Sequence, residues 1–428
     1  MKKQALAVAV GALFVTPAAY AQITFGNDTI GTVQFYGKLY PQFGMGKADG
    51  ATGPGTPGVS TLVAGPSQVL PGPGSPNSGL PTGQRNAVDA QASYLGFRGE
   101  RKLMEDLKAI WQIETQLNFD NPGCTAGAAC SGFATRNSFA GLSGTKWGTV
   151  RLGNMDTVYK DYGDTFQMFG IASNNFVAAN NVLSQIGIGN NAASSFHLRR
   201  TNSVYYETPT FSGVNAAVMY GPDESRGNIG RTINANLWSY GVKWNSEMLY
   251  LSLAQEIHND AFGGSNNVIA SLSNTADPNT HSTDRATRAS AEYRFLESQR
   301  VTFDVSRLRY SERGQQLAAP TFESYVHTTW ALGWEGNFGP WGTAVQYVRA
   351  NNGACTLTGV STPCDTVGLQ GSQLSAGVRF RFDRQTFVYG IVSKLNNGPS
   401  ARYDNWANAD PERGADIKQA AIGISYSF

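Results

Sequence analysis

The chain has 428 residues with 49 glycines, 18 prolines and 11% aromatic residues, and this enrichment without helical heptads favours an all-β chain with many turns. Lys and Arg number 33 against 31 Asp and Glu, so the totals imply neither a strongly basic nor a strongly acidic surface and give no reason to expect nucleic acid as a partner. No run of about 18 apolar residues occurs, which excludes a helical membrane protein.

Residues 1–21 have the pattern of a signal peptide. Lys2 and Lys3 precede an apolar run from Ala5 to Val15, and Ala19-Tyr20-Ala21 is a small-residue cleavage pattern. The apolar run is shorter than the roughly 20 residues that a membrane-spanning helix needs. We therefore expect residues 1–21 to be removed on export and residues 22–428 to form a single domain.

Alternation of apolar and polar residues begins at Thr32–Tyr40 and recurs to the C-terminus. Successive strand residues face opposite sides, so each such strand has one apolar and one polar face. Sixteen strands are predicted, centred near residues 34, 96, 112, 139, 151, 204, 216, 241, 252, 291, 304, 330, 345, 378, 390 and 423. A soluble β-sandwich would also alternate, but several of these segments reach about 10 residues, the length that a tilted strand needs to cross hydrocarbon.

The connections alternate in length. Eight long ones cover about residues 44–90, 119–135, 154–198, 221–236, 258–286, 311–323, 351–371 and 395–416, and seven short ones lie between them. Long external loops and short periplasmic turns are typical of a membrane barrel, and a sandwich has no reason to keep this rhythm. The sequence therefore predicts an all-β fold, a transmembrane up-and-down antiparallel β-barrel of 16 strands.

Several segments resemble the Gram-negative general porins. They are Val33–Gly37, Tyr94–Gly99, Leu107–Glu114, Asn137–Ser143, Gly148–Gly153, Asn202–Tyr206 and Ile422–Phe428. The resemblance covers about residues 30–428 and implies a homotrimer in the cell outer membrane, in contact with its lipid and lipopolysaccharide. It also implies a third external loop folded into the lumen, and a C-terminal insertion signal, Tyr426 and Phe428, that the barrel-assembly machinery recognises.

The implied function is passive diffusion of small hydrophilic solutes and ions through a water-filled channel, with a weak preference for anions. It requires no cofactor. A substrate-specific channel with a defined solute-binding site is the alternative. An outer-membrane enzyme is disfavoured, because it needs a Ser/His or Asp/His arrangement and the four histidines have no plausible partner motif.

The charges on the predicted polar faces are mostly basic. The basic set is Lys38, Arg98, Lys108, Arg151, Lys243, Arg288, Arg294, Arg379, Arg381 and Lys394, and the acidic set is Glu100, Glu114, Glu207, Glu256, Glu292, Glu335 and Asp383. Lys38, Arg98 and Arg151 resemble a basic cluster that related porins carry near the constriction, and Lys108 is predicted to join this wall. Such a wall would favour anions. Pairing with the glutamates, or simple solvation of the wall, would explain each charge equally well.

The third long connection supplies Asp156, Asp161 and Asp164. Facing the basic wall, these acids would set a transverse field across the channel. The connection lacks the Pro-Glu-Phe-Gly-Gly stretch of enterobacterial porins, so a short helix pinned to the wall by side-chain hydrogen bonds is an alternative path. At its end, Arg199 and Arg200 either face the lumen or meet lipopolysaccharide phosphates, because a register shift of one residue exchanges the two faces.

The four cysteines fall in two close pairs, Cys124 with Cys130 and Cys355 with Cys364. An even count at short spacing in an exported protein predicts two local disulfides. A metal site is the competing interpretation. It is disfavoured because the scattered histidines give no ligand spacing, and no metal is expected.

Overall fold

The computed structural model describes residues 23–27, 31–53, 56–63, 84–119, 132–189, 195–224, 233–264, 268–296, 298–361, 363–405 and 411–428. Within these residues a single 20-stranded sheet is present. The strands are β1 Ile23–Asn27, β2 Gly31–Leu39, β3 Gln42–Asp49, β4 Arg85–Asp89, β5 Tyr94–Met104, β6 Leu107–Gln116, β7 Ser138–Gly144, β8 Gly148–Asp156, β9 Arg199–Glu207, β10 Val214–Gly221, β11 Leu237–Asn245, β12 Leu249–Asn259, β13 His281–Phe295, β14 Gln299–Arg313, β15 Thr321–Phe338, β16 Trp341–Ala350, β17 Ala354–Thr358, β18 Gly371–Arg381, β19 Thr386–Asn397 and β20 Asp416–Ser427.

Short helices interrupt the connection between β8 and β9. They are α1 Val158–Gly163, a 3₁₀ turn at Met168–Gly170 and α2 Asn180–Leu183. In the part of the chain that the structure describes, no helix combines the length and the hydropathy needed to cross a membrane.

The sheet is antiparallel and closes on itself. β20 pairs with β19 on one side and with β2 and β3 on the other, where Lys38 lies opposite Ser427 and Phe43 opposite Ile422. Three pairs of consecutive strands continue one another, β2 with β3, β4 with β5 and β16 with β17, while β1 is an N-terminal addition that pairs with β2. The described strands therefore form a closed barrel of 16 strands.

Every predicted strand centre lies inside an observed strand, and the barrel prediction is confirmed. The predicted boundaries are less accurate, because most of β3 and all of β4 fall inside the predicted long connection 44–90 and β1 was not predicted at all. β3 contains Gly44 and Gly46, and glycine weakens a strand because it has no side chain to pack. Pairing with β20 stabilises this strand, and local sequence does not reveal that pairing.

Exposure alternates along the strands in the opposite sense from a water-soluble protein. In β12, Leu251 is 41% and Leu253 is 52% exposed, whereas Ser252 is buried and Glu256 is fully buried. In β14, Phe303 is 48% exposed between the buried Thr302 and Asp304. A barrel with large apolar groups outside and polar, charged groups inside is suited to lipid surroundings.

Lys394 lies on the outer face of β19, so its predicted place on the polar inner face is wrong. It is exposed on the same side as Val388 and Val392. The opposite face is also apolar, because its side chains pack against the connection between β8 and β9; they are Phe387, Tyr389 and Ile391. With apolar residues on both faces, alternation alone does not indicate which face is inside.

The C-terminal residue completes the closure of the sheet. The Phe428 N–H donates to the Gly37 carbonyl (3.0 Å), and the Gly37 N–H donates to the Phe428 carbonyl (2.9 Å). The Phe428 ring lies 5.3 Å from Phe35 and 5.9 Å from Tyr426, which is exposed on the outer face.

One of the two predicted cysteine pairs lies in the described residues. Cys355 at the start of β17 and Cys364 form a disulfide with a Cα–Cα distance of 5.2 Å, which confirms that prediction. Cys124 and Cys130 lie outside the described residues, and their pairing remains a prediction.

Candidate channel constriction

The helix α1 is attached to buried polar groups of the barrel wall. The Tyr159 N–H donates to Ser239 Oγ on β11 (2.9 Å), and the Tyr159 hydroxyl lies 2.7 Å from Ser306 Oγ on β14. On β12, Ser252 donates to the Tyr162 carbonyl (2.8 Å). Side-chain hydrogen bonds therefore hold α1 against strands β11 to β14. A short helix pinned to the wall by side-chain hydrogen bonds is the alternative path that the sequence left open for the third long connection.

Between α1 and α2, residues 165–179 leave this anchor and return to it; we call them the excursion. Its ends meet, since Asn180 Nδ2 donates to Asp164 Oδ1 (3.0 Å). Its middle contacts β2, where Lys38 Nζ donates to the Gly170 carbonyl (2.5 Å). Its apolar side chains pack with the inner face of β19; they are Phe166, Met168, Phe169, Ile171, Phe176 and Val177. The excursion thus contacts strands well separated around the barrel from those that hold α1.

The three predicted acids have different partners. Asp156, at the end of β8, forms ion pairs with Lys160 Nζ (2.9 Å) and Arg199 Nη2 (3.0 Å). Asp161 lies on α1, where the Tyr205 hydroxyl donates to its carboxylate (3.5 Å). Burial raises the pKa of the Asp161 carboxyl above its usual value.

Asp164 follows α1 and contacts His197, whose Nε2 lies 2.7 Å from its carboxylate. Burial would raise the pKa of Asp164, but His197 and Arg288 hold that pKa below its usual range. Burial lowers the pKa of the His197 imidazole in spite of this carboxylate. The positive charges near the Asp164 carboxylate include Arg288 and Lys160.

The predicted basic residues do not form one cluster. Arg98 on β5 donates from Nε to Gln34 Oε1 (2.8 Å), with its guanidinium 5.0 Å from the Tyr36 ring centre. Arg151 on β8 donates to Glu207 (3.2 Å) and stacks 4.1 Å from the ring centre of Tyr205.

Lys108 is separate from the other basic residues. It lies at the turn end of β6, half-exposed, and its Nζ is 2.8 Å from Glu100 Oε1. The structure thus brings Lys38 to the excursion, places Arg98 and Arg151 against wall aromatics, and leaves Lys108 near the short turn.

Sequence reasoning missed Arg136, which precedes β7. Its guanidinium lies 4.7 Å from the Tyr94 ring centre, and its Nε donates to Glu114. The other carboxylate oxygen of Glu114 accepts from the Tyr36 hydroxyl (3.1 Å). In the strand register, Gly96 on β5 lies between Tyr36 on β2 and Glu114 on β6. A Cβ at Gly96 would come within 2.7 Å of the Tyr36 ring, so the glycine leaves room for Tyr36 to cross β5 and reach Glu114. The signal available in the sequence was the position of Arg136, directly after the predicted long connection 119–135.

Residues 5–400 match the family model described as Gram-negative porin. The chain belongs to this family. Among curated relatives, the major outer membrane protein P.IA of Neisseria meningitidis serogroup C is 32% identical over 141 residues, which are 33% of this chain and 31% of that protein. P.IB of Neisseria lactamica is 31% identical over 145 residues, 34% of this chain and 38% of that protein. The chain spans about a third of the length of the curated relatives it matches.

Solved porin structures share the fold over nearly the whole chain. The anion-selective porin from Comamonas acidovorans has a TM-score of 0.63 and 18% identity, covering 92% of this chain and 99% of that one. The Salmonella typhi OmpF complex with daunomycin has a TM-score of 0.54 and 15% identity, covering 95% and 100%. At these identities the likeness shows the barrel fold.

Arg199 and Arg200 of this porin have separate environments. Arg199 contacts Asp156, whereas Arg200 Nη2 donates to the Pro222 carbonyl (3.2 Å) beyond β10. A register shift in β8, between Gly153 and Met155, lies opposite the start of β9. This bulge is why strand alternation could not assign the two arginines. In the described part of the porin, no group of His, Cys, Asp and Glu is placed to hold a metal ion.

A buried ion pair fixes the excursion where it leaves α1. Arg288 on β13 donates from Nη2 (3.0 Å) and Nε (3.2 Å) to Asp304 on β14, and both side chains are buried. The second oxygen of Asp304 accepts from Thr165 Oγ1 (3.0 Å), and Arg288 Nη1 donates to Asn180 (3.2 Å).

We expect Arg288→Met to lower the free energy of unfolding by about 3–5 kcal/mol, because it leaves the Asp304 carboxylate buried without its cation. Urea titration of the folded porin in lipid vesicles measures this change. The double variant Arg288→Met with Asp304→Leu is the control, and it should recover much of the loss because no unpaired charge remains. A single variant as stable as the wild type would contradict the assignment.

Proposed function

We propose that this porin forms a water-filled channel in the outer membrane through which small hydrophilic solutes and ions diffuse passively. The observation that carries the proposal is the polar and charged inner face of a closed barrel whose outer face is apolar. Such a lumen lowers the barrier for hydrated solutes, and no chemistry on the solute is needed.

The excursion narrows the channel by folding into the lumen. Its support is the set of contacts with inner-face side chains on strands away from β11 to β14, which hold α1; they are Lys38 on β2, Gln42 on β3 and Gln373 on β18. Since Gln373 Nε2 donates to the Ala178 carbonyl (3.1 Å) and Asn175 donates to Gln42 (3.0 Å), the path is held at several points along its length.

Lys38, Arg98 and Arg151 give the channel a weak preference for anions. Arg98 and Arg151 stack on tyrosine rings of the wall, which holds their guanidinium groups in place. Asp156 and Asp164 are engaged by Arg199, Lys160, His197 and Arg288, so they oppose the basic wall only weakly. A modest transverse field and a modest selectivity follow.

The assembly and export of the protein are part of the same proposal. Residues 1–21 direct export, and the barrel-assembly machinery recognises the exposed Tyr426 and the terminal Phe428. The working unit is a homotrimer; the OmpT protein of Vibrio cholerae, which shares the fold with a TM-score of 0.57, is described in a trimer form. Lipid and lipopolysaccharide contact the apolar outer face.

Planar-bilayer recording of the purified full chain tests the function. We expect stepwise conductance increments in symmetric salt, and in a salt gradient a reversal potential displaced toward the anion equilibrium potential. Unheated gels are expected to show a trimer band that heating removes. The absence of conductance steps, or strong cation selectivity, would contradict the proposal.

A further inference from the structure

The inner-face carboxylate of Glu207, at the end of β9, is held from both neighbouring strands. In the strand register Glu207 lies between Thr149 on β8 and Ala217 on β10. Arg151 on β8 donates from Nη2 to Glu207 Oε2 (3.2 Å), and Asn215 on β10 donates from Nδ2 to Glu207 Oε1 (2.7 Å). One carboxylate oxygen is therefore bound from each side of β9.

Lys243 on β11 brings a second cation to the same carboxylate. Its Nζ lies 3.4 Å from Glu207 Oε1, and it lies opposite Asn215 in the register of β10 and β11. Lys243 Nζ is also 4.1 Å from the ring centre of Tyr162 on α1. Lys243 was predicted on the polar inner face but was not assigned to the constriction, because its position against α1 is set by tertiary structure.

Glu207 also joins the wall to α1. The Tyr162 hydroxyl donates to Glu207 Oε1 (3.2 Å), so one carboxylate contacts two wall cations and the helix from which the excursion starts. The side chains of Arg151, Glu207 and Lys243 are 20%, 23% and 24% exposed. These three charges are therefore still accessible to water on the inner face.

The carboxylate offsets much of the positive charge of its two partners. Arg151 and Lys243 carry two positive charges, and Glu207 places one negative charge within 3.4 Å of both. An ion that passes at a larger distance experiences each close pair as a dipole, whose potential falls off faster than that of a single charge. Asp161 contacts this group through the Tyr205 hydroxyl (3.5 Å), but it belongs to α1 and not to the wall.

We propose that Glu207 determines how strongly the channel prefers anions, by offsetting the charges of Arg151 and Lys243 on the inner wall. The number of basic residues on the wall then overstates the positive field in the lumen, and the glutamate keeps the selectivity weak. The inference rests on the proposed function, a conducting channel with a basic wall, and adds a specificity-determining residue to it.

Planar-bilayer recording of the full mature porin with Glu207→Gln tests this role. The amide oxygen of glutamine can still accept from Tyr162 and Asn215, whereas the negative charge is gone. We expect the ratio of anion to cation permeability, taken from the reversal potential in a salt gradient, to rise roughly twofold, as for one unit charge acting across about one Debye length of water. Glu207→Asp keeps the charge and should shift the ratio less.

Arg151→Gln separates the effect of charge from the effect of the position of α1. Combined with Glu207→Gln it restores the net charge of the group, so the double variant should return to the wild-type ratio. Arg151→Gln alone should shift the ratio toward cations, and the step from it to the double variant measures the same carboxylate in a second background. Glu105→Gln, in the exposed turn between β5 and β6, is the matched control and should keep the wild-type ratio.

An unchanged permeability ratio in Glu207→Gln, with conductance steps and the trimer band retained, would overturn the proposal. So would a double variant that keeps the shift of the single one, because a displaced α1 would then be the cause. A wild type without conductance steps contradicts the channel itself, whereas a conducting wild type with a Glu207→Gln variant of equal selectivity contradicts only the role of Glu207.

Discussion

Removing the excursion is expected to raise the single-channel conductance severalfold. The variant replaces residues 165–179 by two glycines. The ends can be joined because Asn180 already donates to Asp164 across a 3.0 Å hydrogen bond, and α1 keeps its own anchors on Ser239 and Ser252. Conductance is expected to rise because, in the proposed function, the replaced residues occupy part of the lumen cross-section. Planar-bilayer recording in symmetric salt measures the step size.

A same-length replacement of residues 165–179 by a Gly/Ser sequence separates occupancy from anchoring. It keeps the length of the chain but loses the Asn175 amide that donates to Gln42 and the apolar side chains that pack on β19, so it should give noisy, intermediate steps. Removal of residues 225–232 from another long connection is the control and is expected to leave the step size near that of the wild type. If the shortened variant conducts like the wild type, the excursion does not narrow the channel.

Reversing the three basic wall residues is expected to turn the proposed weak anion preference into a cation preference. Lys38→Glu, Arg98→Glu and Arg151→Glu together exchange three positive charges for three negative ones on the inner face. In a narrow lumen with low-dielectric walls these charges act on every passing ion. The reversal potential in a salt gradient should change sign, and the shift should shrink at high ionic strength because salt screens the wall.

Three exposed lysines on the outer face, Lys47 on β3, Lys394 on β19 and Lys418 on β20, provide a control with the same change in charge. Lys47→Glu, Lys394→Glu and Lys418→Glu reverse three charges on the lipid side of the barrel, with the wall between them and the lumen. This variant should shift the reversal potential far less than the inner one. Equal shifts in both variants would show that overall charge, and not the charge of Lys38, Arg98 and Arg151, sets the selectivity.

The barrel was predictable because its signals are local. An apolar residue at every second position, as in Thr32–Leu39, needs only the geometry of one strand, and long and short links alternate along the chain itself. The disulfide between Cys355 and Cys364 was predictable for the same reason, since its two cysteines are only nine positions apart in the sequence. The strand β3 was missed because its glycines give no local signal and its pairing partner, β20, lies at the other end of the chain.

The candidate site was predictable only as a set of residues. Lys38, Arg98 and Arg151 were named from resemblance, but the partner of Lys38 is the Gly170 carbonyl, 132 residues away. Sequence could not pair Asp164 with His197 and Arg288, because these side chains meet only when α1 docks on β13.

The sequence by itself determined the number of strands, their order and the presence of a third long connection, because each depends on neighbouring residues. Tertiary structure alone decided which charges are compensated and which face of β19 is outside. Lys394 illustrates the reason: the excursion covers the inner face of its strand with apolar side chains, so both faces read as apolar in sequence. The environment of β19 depends on a contact between segments that are distant in the sequence, and the residue pattern within one strand cannot reveal such a contact.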